Sequence, residues 1–184
     1  MTKGIPFIGS VTRWWEGVRA RVRLAVGAGL VAVIGLTGLT PNVLFDLTLS
    51  WPYAALIAAV GWGRSGLAFG PMTMLILFGF VQDVTASAPL GCYALVNLAT
   101  YGASAGVSQT FDIERSRGMN YGLPVLMLIM GMVLVWLLAS FASAHVVRVF
   151  PLISALLATI FLHMLIAPVF DLGIRRGGSA GAVG

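Results

Sequence analysis

The sequence predicts an all-α membrane protein, a polytopic bundle of six transmembrane helices. Of its 184 residues, 59% are hydrophobic and 9% are charged, whereas a soluble domain carries roughly 25% charged residues. The mean hydropathy is +0.97. This composition excludes an ordinary soluble enzyme, a disordered chain and a coiled coil, and it leaves little chain for a domain outside the membrane.

Six apolar segments follow one another, and each is about as long as the ~20 residues that a helical span needs. They are Val22–Leu39, Val43–Trp62, Leu67–Val84, Leu90–Val107, Tyr121–Phe141 and Phe150–Phe170. The second is the weakest, because Asp46 lies near its start and Pro52 lies inside it. We expect that span to be kinked, short or partly re-entrant.

Positive charge sorts to one side of these spans. Only Arg148 of the 11 Lys and Arg residues falls on the side opposite the termini. Because loops that stay in the cytoplasm are rich in Lys and Arg, both termini are predicted to be cytoplasmic. The net charge of +5 is therefore attributed to membrane orientation and not to nucleic-acid binding.

Three regions are expected along the chain: a basic cytoplasmic segment over 1–23, the bundle over 24–171 and a flexible cytoplasmic tail over 172–184. The basic segment is compatible with an amphipathic helix on the inner leaflet, or simply with a positively charged anchor flanked by interfacial tryptophans. The residues assigned to the membrane surface are Trp14, Trp15, Arg19, Arg21 and Arg23.

Small residues recur at a spacing of four within the apolar segments. The pairs are Gly66 with Gly70 and Gly102 with Gly106. Such spacing lets the backbones of neighbouring membrane helices approach closely. Both pairs are therefore predicted to lie at helix–helix contacts, inside the bundle or against another protein.

Few residues offer chemistry inside the predicted membrane region. Asp46 and Asp83 lie toward the outer face, where each could cap a helix end, bond to a neighbouring helix or serve a functional site. His163 lies within the last span and could relay protons or simply pack. With one cysteine and two histidines in the chain, no catalytic residues, metal site or cofactor are predicted.

One segment, residues 79–95, predicts a helix end, a compact outer turn and a new helix. Gln82 and Asp83 are the polar residues that end the third span. Pro89 suits the first turn of a helix, and Gly91 permits a close approach of the backbone. The segment is expected to form a rigid hairpin.

This segment resembles the MreD family of rod-shape-determining proteins, in which Gly-x-x-x-Asp is followed by a small-residue turn and Pro-Leu-Gly. The matching residues are Gly79, Gln82, Asp83, Pro89, Leu90 and Gly91, and Asp46 matches an aspartate at the start of the family's second span. Length and layout are similar along nearly the whole chain. The sequence departs from the family in its basic segment 1–23 and in the polar interior of its second span.

The resemblance implies a non-catalytic component of the bacterial elongation machinery in the inner membrane. The implied partners are MreC and, within the complex, RodA, an elongation-specific penicillin-binding transpeptidase and MreB. The implied fold is similar to the six-helix substrate-binding subunits of energy-coupling-factor vitamin transporters. Scaffolding through MreC is the expected mechanism, with the motif residues as determinants of bundle shape or partner docking.

The sequence leaves two other functions open. A vitamin-binding transport subunit would share the architecture but would need an outer pocket of converging polar and aromatic side chains. A membrane enzyme would need paired catalytic groups at one depth, for which Asp46 with Asp83 is the candidate pair.

Overall fold

The structure is a computed structural model that describes residues 15, 18–38, 52–66, 68–86, 88–110, 117–143 and 149–172, and the backbone of 43–44 and 47–48. This part of the chain contains six α-helices, in agreement with the predicted number. They are α1 (Ala20–Thr37), α2 (Ala54–Arg64), α3 (Phe69–Thr85), α4 (Cys92–Thr110), α5 (Arg117–Ser143) and α6 (Val149–Ile166). A 3-10 helix, Ala167–Phe170, continues α6, and two short strands, β1 (Val43–Leu44) and β2 (Leu47–Thr48), lie between α1 and α2.

Among the described residues, three regions are long and apolar enough to cross a membrane: Ala20–Thr37, Gly122–Phe141 and Val149–Phe170. Helices α2 and α3 are apolar but shorter. With a rise of 1.5 Å per residue, α2 extends about 16 Å, roughly half of the hydrocarbon thickness of a bilayer. The helices fit a membrane bundle in which not every helix crosses the full thickness.

The predicted second span, Val43–Trp62, is helical only in its second half, so the expectation of a short helix is confirmed and that of a helical first half is wrong. There β1 pairs antiparallel with β2, with Val43 opposite Thr48, and the helix begins only at Ala54. Pro52 accounts for this boundary, because proline is disfavoured inside a helix and keeps the preceding residue out of helical geometry. Asp46 lies outside the described residues.

Helix α2 is the centre of the bundle. Its residues Ala54 to Gly63 are all buried, and it packs against the other five α-helices and the 3-10 helix. A helix that is apolar on every side must be covered on every side. Small residues make this possible: a Cβ added at Gly61 would overlap Phe170, and one added at Gly63 would lie 2.7 Å from the Cβ of Ser104.

The four glycines of the predicted pairs differ in their surroundings. A Cβ added at Gly102 or Gly106 would meet no atom of the described bundle within 4 Å, so this pair does not pack inside it, and its contact with another protein stays a prediction. Gly66 has φ +96° in the turn before α3. Gly70 approaches α1, where an added Cβ would lie 3.0 Å from Leu24. The spacing of four does not reveal which helix face points inward.

A methyl group at Gly61 is expected to destabilise the bundle, because it must displace Phe170. We expect Gly61→Ala to lower the free energy of unfolding by about 1–3 kcal/mol, the usual range for overpacking. Gly102→Ala is the matched control, since its methyl group meets open space. Thermal unfolding in mild detergent measures both, and an unchanged midpoint for Gly61→Ala would contradict the packing described for α2.

Candidate functional site

The end of α3, the turn that follows it and the start of α4 form a hairpin centred on Asp83, termed the α3–α4 hairpin (residues 79–97). The Asp83 side chain is completely buried. Its Oδ2 accepts the N–H of Gly91 and its Oδ1 accepts the N–H of Tyr93, each at 2.7 Å. The first N–H groups of a helix have no partner within that helix. Asp83 therefore caps α4 from the neighbouring helix, as an N-cap carboxylate does within one helix.

The turn itself depends on Gly91, whose φ is +95°. This conformation is accessible to glycine without the steric cost that a Cβ brings. Two further hydrogen bonds close the turn: Ala88 N–H donates to the Asp83 carbonyl at 2.9 Å, and Cys92 N–H donates to the Pro89 carbonyl at 3.2 Å. The geometry of the turn thus directs two N–H groups at one carboxylate.

The helices of the hairpin are in close contact below the turn. A Cβ added at Gly79 would overlap the backbone of Ala94, so glycine is what allows this approach. Beside it, the buried Asn97 donates from Nδ2 to Gln82 Oε1 at 3.1 Å. Asn97 was not identified from the sequence, although a lone amide in an apolar segment signals a buried group that needs a partner.

The tip of the hairpin faces outward. Pro89 is exposed, and the Leu90 side chain is 75% exposed. The motif residues therefore divide into two groups: Gly79, Gln82, Asp83 and Gly91 hold the hairpin together, and Pro89 and Leu90 lie at its exposed tip. The structure brings all six motif residues into this one hairpin.

Polar side chains also secure the opposite end of the bundle. The Tyr101 hydroxyl accepts the Ala68 N–H at 2.7 Å and donates to the Gly66 carbonyl at 2.8 Å. Ser104 Oγ donates to the Val60 carbonyl at 2.9 Å. These bonds tie the connection between α2 and α3 to α4.

Two of the residues predicted at the membrane surface attach to the chain's C-terminal side. Arg23 is buried; its guanidinium donates to the Asp171 carbonyl at 3.2 Å and lies 5.8 Å from the ring centroid of Trp15. Trp15 Nε1 donates to the Pro168 carbonyl at 3.1 Å. Arg19 and Arg21 are exposed, and Trp14 lies outside the described residues. Arg23 therefore serves a contact within the protein.

A cavity of about 810 Å³ lies at the same end of the bundle as the α3–α4 hairpin. The end of α1 and the starts of α2 and α6 form its other walls. Its volume falls within the ~300–1,000 Å³ that is typical of small-molecule sites. The sequence did not indicate this cavity, since its walls come from five separate helices.

The remaining titratable groups that the structure describes do not assemble into a further cluster. Among the described residues, no group of three His, Cys, Asp or Glu side chains could hold a metal ion. His163 is buried, and its Nδ1 has no hydrogen-bond partner within the described part of the bundle. The possible pairing of Asp83 with Asp46 involves a residue outside the described ranges.

Comparison of the chain with protein-family models, with curated proteins and with solved structures finds no match.

Substitution of Asp83 is expected to destabilise the protein, and the more hydrogen-bond acceptors the substitution removes, the larger the loss of stability. Asp83→Asn keeps one carbonyl acceptor, whereas Asp83→Ala leaves both N–H groups without a partner, at a cost of about 1–3 kcal/mol for each. We expect thermal stability in detergent to fall in the order wild type, Asp83→Asn, Asp83→Ala. Wild-type stability of Asp83→Ala would refute the capping role.

Proposed function

We propose that this chain is a non-catalytic membrane scaffold of bacterial cell-wall elongation that acts by binding MreC. The proposal is carried by the α3–α4 hairpin, in which residues of the MreD-like motif build a locked turn with an apolar tip. It also draws on the three regions long and apolar enough to cross a membrane. In this proposal the protein lies in the inner membrane with both termini in the cytoplasm.

The hairpin suits a docking role because its shape is set before a partner arrives. Two hydrogen bonds from backbone N–H groups to the Asp83 carboxylate fix the turn. Little conformational freedom is therefore lost when the tip is bound. Preorganisation of this kind raises affinity by lowering the entropic cost of association. We propose that Leu90 contacts MreC and that RodA, the elongation-specific penicillin-binding transpeptidase and MreB join through the wider complex.

A second candidate is the substrate-binding subunit of an energy-coupling-factor-type vitamin transporter, whose fold is similar to the one proposed here. The cavity of about 810 Å³ favours this candidate. A thermal-shift screen with vitamins separates the two functions, because a ligand that binds only the folded state raises the unfolding temperature. A vitamin that stabilises the protein would favour the transport function over the scaffold.

Co-purification with MreC from the native host tests the scaffold. Leu90→Ala removes an exposed side chain without touching the Asp83 bonds, so we expect it to lower MreC recovery while protein yield and thermal stability stay unchanged. Leu165→Ala is the matched control, since Leu165 of α6 is 63% exposed and lies away from the hairpin.

The hairpin's integrity is tested in the same experiment by Asp83→Ala and Gly91→Leu. The first removes the cap, and the second places a side chain at φ +95°, so both should lower MreC recovery or protein accumulation. Wild-type complex yield from both variants would contradict the proposed role of the hairpin.

A further inference from the structure

The cavity at the hairpin end reaches from the bundle surface to the central helix. Leu36 of α1 and Val81 of α3 form part of its outer wall, and both are exposed. Ala54 and Ala55 of α2 form its floor and are buried. A molecule in this cavity would therefore contact the core of the bundle, unlike a lipid that lies against the outer surface of the helices.

The chemistry of the walls selects the kind of molecule that fits. None of the described lining residues carries a charged side chain, and most are aliphatic or aromatic. Burying an ion there would leave its charge without a partner, which is costly. The cavity thus disfavours phosphates, carboxylates and metal ions and favours a neutral molecule with a long apolar part.

A few of the lining residues carry polar side chains. Tyr53 and Tyr93 stack with their ring centroids 6.1 Å apart, and Gln82 and Thr85 of α3 line the same cavity. Hydroxyl and amide groups can hydrogen-bond a neutral polar group while the apolar walls take a chain. A small set of polar groups in an otherwise apolar pocket is typical of a ligand site.

From these observations we infer that the cavity binds one neutral lipid, with its aliphatic chain against α1, α2 and α6 and its hydroxyl or ester group near Tyr53 and Tyr93. A bilayer supplies such molecules in two forms, with an acyl chain or with an isoprenoid chain, and the walls suit both. Lipid binding in this cavity goes beyond the proposed scaffold function and does not require MreC.

Photo-labelling tests the inference with the full chain purified in mild detergent. The probe is a monoacylglycerol that carries a diazirine in its chain, and mass spectrometry locates the labelled peptides. Label is expected on the lining parts of α1, α2 and α6, against which the chain is placed. Competition with unlabelled monoacylglycerol or with polyprenol then identifies which chain type binds more tightly.

Two pairs of variants separate cavity binding from lipid at the outer surface. Ala32→Trp and Leu152→Trp place a large ring in the cavity from α1 and α6, whereas Val33→Trp and Ile153→Trp place the same ring outside it. Val33 and Ile153 are 58% and 49% exposed and do not line the cavity. We expect labelling of the cavity peptides to fall about tenfold in the first pair, a loss equal to one decade in affinity, and to persist in the second.

Equal labelling in all four variants, label on the outward faces alone, or no label above that of an unrelated membrane protein would overturn the inference. Thermal unfolding shows whether each variant folds. If one cavity variant does not fold, the cavity variant on the other helix decides the outcome. Because MreC is absent from the assay, failure here leaves the scaffold proposal untouched, and loss of MreC binding leaves this inference untouched.

Discussion

The lack of hydrogen-bond partners in a bilayer is the constraint on which this structure depends. Backbone N–H and C=O groups in hydrocarbon must be satisfied by the protein itself, and the ends of helices are where they are exposed. The chain meets this need with side chains from neighbouring helices. Asp83 accepts from the start of α4, Tyr101 bridges the turn before α3, and Thr159 Oγ1 accepts the Tyr53 N–H at the start of α2. The same bonds that satisfy the backbone also fix how the helices sit against one another.

Much of the helical framework could be predicted from the sequence, because long apolar runs have few alternatives in a membrane. The five apolar segments outside the second correspond closely to helices. The second did not, since its hydropathy matched a full span, whereas the helix begins only after Pro52, at Ala54. For a related reason, the spacing of glycines does not show which of them pack inside the bundle. Their spacing places Gly102 and Gly106 on one face of α4, but only the fold determines that Gly61 and Gly63 of α2 face the neighbouring helices.

The candidate site was predictable in its local part only. Residues 79–91 are consecutive, so a helix end, a turn and a helix start could be read from Asp83, Pro89 and Gly91 directly. The hydrogen bond between Gln82 and Asn97 could not be predicted. The two residues are 15 positions apart, and their contact depends on how α3 packs on α4. Arg23 likewise lies in a basic segment typical of a membrane surface, but its guanidinium donates to the Asp171 carbonyl near the other end of the chain. Contacts between segments that are distant in sequence leave no pattern of residue spacing from which they could be predicted.

We propose that the α3–α4 hairpin presents its tip to MreC. The most direct measurement places a photo-crosslinking amino acid at position 90 of the full chain in its native host, with position 165 as the control. Our account predicts a cross-link from position 90 to a single-span MreC-type protein and none from position 165. A cross-link from position 90 to a transporter's membrane subunit, or the same products from both positions, would contradict it.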